Sequence, residues 1–585
     1  MAEGENGTTA TLPEEMIFSI LKSPALTADA SQARLGRLLV PGRKSIQTPH
    51  FIANTSRGVV PHLAHDLMRR HTDISGVYVA LEDFIEKSPR ETPPLLNFAA
   101  SMSAHEPSAS ALRAFIALQE EALLVLGPRR VPPIPCPGSN SDDGVAILTS
   151  VGFKTLSATD YANATSSLRP DIVVGMADLV ADGVRSSWKR VDKMGYRTEK
   201  WMCEMVEAVN GEDKPEGEND DNGGDGIDAM PRHTTSSNPK PLIFAPILPI
   251  DLGKQSLYLS TLSSPPSSDG LLPHISGLTL ATPSVIPLLP TTLSHLPRLA
   301  LCAPQTPHDL LHQIALGVDV CMVPFLTTAT DAGIALTFEF PAPSSLSSSE
   351  ESKLPLGTDL WAASPPPSSF SNTTTTSPDP SSQPQPPPHA TSPFPLSPTC
   401  TCHTCTTYST AYLHHLLHAR EMLAWTLLQL HNHAQLSRFF AGVRASLAAT
   451  GPIDTAVAGE DTTAFDHETR RFRAVYAADL PMGLGSANAL GPRRRGYQVT
   501  GERAGGSGTG GAGGMVEGGM SGRINKRVFG RLDGIASAAA ATAAAVAGGA
   551  EGGRGDKGGG GKGRRGAGGD GGGGGNGNRD AAAAG

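Results

Sequence analysis

Three cysteines within six residues, Cys400, Cys402 and Cys405, followed after 25 residues by His431, constrain this 585-residue chain more than any other feature. Three thiols that close together reach one ion only if the backbone wraps around it. With an imidazole they make the S₃N donor set of a tetrahedral Zn²⁺ site, with metal–sulfur distances near ~2.3 Å. All four positions are filled, so the site is structural and leaves no place for water chemistry. Six histidines compete for the fourth position: His403, His414, His415, His418, His431 and His433. His403 lies between the cysteines and cannot easily turn back onto the ion they share. From Thr410 to Leu430 the apolar positions Leu413, Leu416, Leu417, Leu423, Leu427 and Leu430 have helical spacing. His431 continues that buried stripe four residues after Leu427. His433 points away from it and, with the others, is expected on a solvated or half-buried face. One unbroken helix from Tyr408 to His431 would run about 35 Å and carry His431 away from the thiols. The helix is therefore expected to break near His418–Arg420 and fold back as a hairpin.

Much of the remaining length is poor material for a core. The chain has 64 glycines, about half of them after residue 500, 49 prolines and only 5% aromatic residues. Gly211 to Asp228 carries eight acidic residues against the single Lys214. Residues 211–240, the Ser/Pro/Thr-rich stretch 343–398 and the Gly/Ala-rich tail 501–585 are all expected to be disordered, since they have little apolar surface to offset their ordering entropy. The seven cysteines do not form a disulfide framework, which suits a reducing, cytoplasmic setting. No run approaches the length of a membrane span. A net charge of −9 argues against generic nucleic-acid binding, so any RNA contact must be local or supplied by a partner.

Between the interruptions short apolar strands alternate with helices. Strands are expected at Ile46–Ile52, Gly76–Leu81, Asp171–Met176, Pro241–Pro249, His274–Leu280, Arg298–Cys302 and Val318–Val323. Helices are expected at 191–209, with Met194, Thr198, Trp201, Met202, Met205 and Val209 on its inner face, and at 307–316, with Thr306 as N-cap and Pro307 in the first turn. Repeated βα units imply a parallel sheet, either doubly wound or closed. No G-x-G-x-x-G follows the first strand, which counts against dinucleotide binding.

These stretches resemble one family, the tRNA-guanine transglycosylases. The likeness runs in order through Ala33-Arg34-Leu35-Gly36, Gln47-Thr48-Pro49-His50-Phe51, Lys189-Arg190-Val191-Asp192-Lys193-Met194, Gly317-Val318-Asp319, the cysteine run, Tyr412-Leu413-His414-His415-Leu416, His431-Asn432 and Asp479-Leu480-Pro481. It spans roughly residues 15–500, and the cysteine run is its most specific part. The resemblance implies a (β/α)₈ TIM barrel over 15–342 and a zinc-binding helical subdomain with barrel-closing helices over 399–500, with one structural Zn²⁺ held by Cys400, Cys402, Cys405 and His431.

The departures from the family pattern bear on function. Members that exchange the base carry an aspartate nucleophile in a segment resembling G-[VI]-D-M-F-D. Here it reads Gly317-Val318-Asp319-Val320-Cys321-Met322, so Met322 stands at the nucleophile position. A thioether cannot displace guanine from ribose C1′ as a carboxylate does. The family's D-S-G-G-F-Q loop corresponds to Val77–Phe84, which lacks the glycine pair and leaves Asp83 as a positional relic. A third pocket segment is reduced to Ser276-Gly277-Leu278-Thr279. The chain therefore looks like the non-catalytic accessory type, which Asn54–Pro61 and Ala80–Phe84 also match. That resemblance implies a heterodimer with a catalytic queuine tRNA-ribosyltransferase subunit, tRNA being bound through the complex. The zinc hairpin, with Trp425 and Phe439–Phe440, is the expected contact surface, or else those rings pack on the barrel. Arg57 is read as an RNA contact or as a plain surface charge. Two alternatives stay open: an active transglycosylase with a displaced nucleophile, Asp319 or Asp331, and a zinc-stabilised RNA-binding scaffold.

Overall fold

A computed structural model describes residues 17–481 apart from 24–31, 86–91, 107, 135, 137–139, 150–151, 180–186, 211–239, 266–269, 344–352, 363–391 and 450–462. The expected acidic insert, most of the Ser/Pro/Thr stretch and the Gly/Ala-rich tail lie outside the described residues.

Eight parallel strands close into a barrel: β1 (His50–Asn54), β2 (Gly76–Ala80), β3 (Leu123–Gly127), β4 (Ile172–Val174), β5 (Leu242–Ile247), β6 (Gly277–Leu280), β7 (Arg298–Ala300) and β8 (Val320–Met322). Neighbours in sequence are neighbours in space all the way round, and β8 pairs with β1. The α/β barrel expected from the βα alternation is thus observed. Alternation of period two sorts the side chains. Ile52, Tyr78, Val125, Val174, Phe244, Leu299, Val320 and Met322 form an inner cluster, while Phe51, Val77, Val79, Leu124, Leu126, Ala245, Leu278 and Cys321 join the outer one under the helices.

The helices are α1 (His65–His71), α2 (Pro94–His105), α3 (Ala111–Phe115), α4 (Ala158–Leu168), α5 (Trp188–Asn210), α6 (Ser256–Ser263), α7 (Pro307–Ala315) and α8 (Pro324–Asp331). In α5 the expected inner face is buried, Trp201 and Met202 completely. Thr306 caps α7, and the Asp309 carboxylate accepts its amide hydrogen at 3.1 Å.

Three details differ from the sequence reading. Ile46–Ile52 is two strands, because Pro49 has no N–H to continue one ladder. Ile46–Thr48 pairs with Leu35–Leu38 in a three-stranded antiparallel sheet that also contains Phe18–Lys22. Phe18, Leu38, Val40 and Ile46 of that region reach into the inner cluster and so plug the N-terminal end of the barrel. The second difference is β3, a fully buried strand with no polar alternation to announce it. The third lies inside the stretch expected to be disordered, where Gly357–Asp359 pairs antiparallel with Ile334–Leu336. Leu356 and Leu360 are buried there, so a few leucines supply the apolar surface that the composition of the stretch as a whole does not.

The C-terminal subdomain contains α9 (His403–Thr407), α10 (Thr410–Ala419), α11 (Met422–Ala448) and α12 (Ala464–Val475). Arg420 takes a left-handed conformation, φ 60°, between α10 and α11, which is the break the metal geometry required. Helix α11 is the shared spine: Trp425, Leu427 and Leu428 pack under the cysteine knuckle, and Leu436, Phe439, Phe440 and Val443 pack on the barrel. Because α11 is enclosed on nearly every side, His433 is buried rather than solvated, stacked on Phe51 with ring centroids 6.0 Å apart. Burial pushes its pKa down to about 3.

Asp319 lies just before β8, at the N-terminal end of the barrel. It is completely buried and takes Arg34 Nε at 2.8 Å and Nη2 at 2.5 Å, and it accepts the Arg298 amide at 2.8 Å. Arg34 also donates to the Leu296 carbonyl at 2.7 Å. Removing one partner strands a buried charge. Arg34→Ala is therefore expected to cost about 3–5 kcal/mol in denaturant unfolding, and Arg34→Ala with Asp319→Ala less than the two single changes summed.

Candidate metal centre and the closed barrel mouth

The four residues singled out for metal come together. One ligand atom from each of Cys400, Cys402, Cys405 and His431 lies within 4.8 Å of the others. Cys405 Sγ is 3.2 Å and Cys402 Sγ 3.7 Å from His431 Nδ1. A tetrahedron with metal–sulfur bonds of ~2.3 Å has edges of about 3.8 Å, so the observed spacing suits one ion at the centre. Local structure explains how each ligand arrives. Cys402 is the N-cap of α9, and its sulfur accepts the Cys405 amide hydrogen at 3.4 Å, which turns two thiols inward within one helical turn. Thr404 Oγ1 donates to the Leu427 carbonyl at 2.6 Å and fastens α9 to α11 one turn before His431.

The far side of His431 is equally determined. Its Nε2 lies 2.9 Å from the Leu336 carbonyl, so it carries the proton and leaves Nδ1 free to ligate. Asn432, to which the sequence reading gave no role, holds that carbonyl's strand in place. Its Nδ2 donates to Ile334 O at 3.0 Å and Thr330 Oγ1 at 2.9 Å, and its Oδ1 accepts from Leu336 N at 2.9 Å. Nothing in the sequence spacing points to this, because the partners are about 100 residues away.

The protonation chemistry of the cluster also calls for a cation. Hydrogen bonds from Cys402 and Cys405 hold the Cys400 thiol far below its usual range, and those with Cys400 and Cys402 push Cys405 far above it. Burial alone would lower His431, but the Cys400 and Cys402 sulfurs raise it to about 9. Three thiolates cannot share this space unaided, and a divalent ion removes the conflict.

At the barrel mouth, where strand ends would carry catalysis in this architecture, the described side chains at the ends of β2, β4 and β8 are buried. Met322 is completely buried in the inner cluster and presents nothing to solvent. Tyr78 occupies the interior beside β3, with its hydroxyl donating to Arg129 O at 2.6 Å. A Cβ at Gly127 would come within 1.8 Å of that hydroxyl, so glycine is required there. Asp83 is buried and locked by Arg130 Nε at 2.5 Å and the Arg57 amide at 3.1 Å. Beside it Glu82 accepts the Arg130 and Leu148 amides at 2.7 and 3.2 Å. Burial raises the Glu82 pKa, with Arg130 opposing. After β4, Asp178 is fully buried and pairs with Arg190 and, at 3.2 Å, with Arg197. These side chains satisfy one another.

The displaced-nucleophile alternative meets two obstacles. Asp319 sits in its arginine clamp at the opposite end of the barrel. Asp331 closes the far end of α8, 2.6 Å from His62 Nε2, where its carbonyl accepts Trp425 Nε1 at 3.4 Å. Of the two expectations for Trp425, Phe439 and Phe440, partner contact is corrected and internal packing holds, since all three are at most 1% exposed. They cement the subdomain to the barrel.

Comparison with known proteins agrees with this picture. The sequence profile described as queuine tRNA-ribosyltransferase matches residues 29–451. The accessory subunit 2 of queuine tRNA-ribosyltransferase from Schizosaccharomyces pombe is 31% identical over 83% of this chain and 88% of its own length. The protein of the same description from Xenopus tropicalis is 26% identical over 72% of this chain and 94% of its own. A queuine tRNA-ribosyltransferase from Thermosynechococcus vestitus is 53% identical, but only over 53 residues, 9% of this chain. With the barrel, the cysteine–histidine knuckle and a matched profile spanning most of its length, the chain belongs to the queuine tRNA-ribosyltransferase family.

Proposed function

We propose that this chain is the non-catalytic subunit of a heterodimeric queuine tRNA-ribosyltransferase, pairing with a catalytic subunit and helping to hold the tRNA whose wobble guanine that partner exchanges for queuine. One observation carries the reading: at the end of β8, where the reaction needs a carboxylate nucleophile, stands a buried thioether, Met322. The ion at Cys400, Cys402, Cys405 and His431 is Zn²⁺, one per chain, because a buried S₃N tetrahedron favours it over harder cations. It is structural, fixing the knuckle against α11. Among the described residues no cysteine is in a disulfide, which supports a reducing, cytoplasmic setting. No described helix is long and apolar enough to cross a membrane.

The partner surface is the outer face of the α10–α11 hairpin. There Met422 is 76% exposed, and Tyr412 and Leu423 are each 41% exposed. Large apolar side chains left exposed on one hairpin are an interface signature. Co-purification with the catalytic paralogue tests the assignment. The native chain is expected to form a stable complex, and Met422→Glu with Leu423→Glu to weaken it at least tenfold, since two charges would be buried against apolar surface. Undiminished complex formation by that double variant would move the interface elsewhere, and no complex with the native chain would reject the accessory reading.

A further inference from the structure

At the end of the barrel opposite the filled mouth, a cleft of about 770 Å³ opens between the N-terminal ends of β1 and β2 and the cysteine knuckle. Its walls carry Lys44, Arg70, Arg438 and Arg444, with Asp73 as the one acid among the lining residues. In a chain of net charge −9 this is a strong local reversal. Lys44 and Arg70 are exposed and form no ion pair among the described residues. Arg444 is half-buried, and among the described residues its guanidinium finds only the Pro49 carbonyl at 2.9 Å and the His50 ring at 3.5 Å. A partly desolvated guanidinium without a carboxylate costs stability, and an arriving anion would offset that cost. His50 registers the local potential: burial first, then Arg444 and Lys44, push its pKa down to about 3.

Cavities of this size often take small molecules, but those sites are mostly apolar, about 300–1,000 Å³ in volume and lined by hydrophobic and aromatic groups. Here polar and apolar surface line the cleft about equally, and no Phe, Tyr or Trp is among the lining residues. Several cations among the lining residues suit a chain of phosphates better than one compact ligand. The two walls are also tied together. His71 of α1 stacks on His403 of the knuckle with ring centroids 4.2 Å apart, which fixes the cleft's width.

We propose that this cleft grips the phosphate backbone of RNA and is the surface by which the subunit holds tRNA. The proposal rests on the accessory-subunit reading and adds a site to it. The tRNA contact lies on the face away from the lost catalytic pocket, so it survives the loss of catalysis. It provides phosphate contacts, which position the RNA and read no sequence.

The test is fluorescence anisotropy of labelled tRNA with the complete heterodimer, between about 50 and 200 mM NaCl. Lys44→Glu with Arg70→Glu is expected to weaken binding roughly tenfold or more. It should also reduce the slope of log Kd against log salt by about 2, near one unit for each phosphate no longer neutralised. Lys44→Gln with Arg70→Gln should fall between the two. Lys193→Glu, on the exposed face of α5, should bind as the native complex does. Both cleft residues are exposed, so zinc content and co-purification should not change. Native affinity and native slope in the charge-reversed complex would overturn the cleft proposal and leave the accessory reading standing. A native chain that forms no complex, or adds nothing to tRNA binding by the catalytic subunit, would overturn both.

Discussion

Met322→Asp is expected to produce no guanine exchange and to destabilise the chain by on the order of 3–5 kcal/mol. The substitution restores the residue type the chemistry needs, but at a position that is 0% exposed and surrounded by the inner barrel cluster. Arg130, Arg190 and Arg197 are already engaged by Glu82, Asp83 and Asp178, and burial opposes a charge at this position. A carboxylate there would take up a proton or disrupt the packing, and a protonated acid is no nucleophile. Denaturant unfolding measures the first effect, and incorporation of labelled guanine into tRNA the second. Robust exchange by this variant would mean that only one residue separates the chain from catalysis, contrary to a mouth closed by several.

The second large effect concerns the metal. His431→Ala is expected to take zinc content from about one per chain to near zero and to lower the thermal midpoint by on the order of 10 °C. The cause is cumulative. The imidazole is completely buried, bridges the knuckle to the Leu336 strand, and belongs to the helix that packs the subdomain on the barrel. His433→Ala should leave the zinc in place, because His433 lies against Phe51 and, among the described residues, is not part of the cysteine cluster. Elemental analysis of the two variants separates these roles. The opposite pattern, zinc lost with His433 and kept without His431, would show the ligand choice to be wrong.

What could be read from the sequence follows from how local each signal is. The clustering of Cys400, Cys402, Cys405 and His431 was legible because three of them lie within six residues and helix phase selects the fourth, and the Arg420 break followed from the need to bring His431 back. Seven of the eight barrel strands showed as short apolar runs, although Pro49 and the strand ends shifted their limits. The filling of the mouth was not legible. Leu148 finds Glu82 across 66 residues and Arg130 finds Asp83 across 47, and no periodicity encodes such pairs. The same holds for α11. Its leucine stripe gives the knuckle side, but burial of His433, Trp425 and Phe440 depends on two surfaces closing on one helix. The basic cleft was hidden for a similar reason, as Lys44, Arg70 and Arg444 are brought together only by the fold.

The most direct test of the central claim is guanine exchange on tRNA by three samples: this chain alone, this chain with the catalytic paralogue, and the mixture in which the paralogue's nucleophilic aspartate is replaced by asparagine. A barrel whose β8 ends in Met322 predicts background incorporation for the first, turnover for the second and background again for the third. Turnover by the chain alone, or by the mixture with the disabled paralogue, would contradict it.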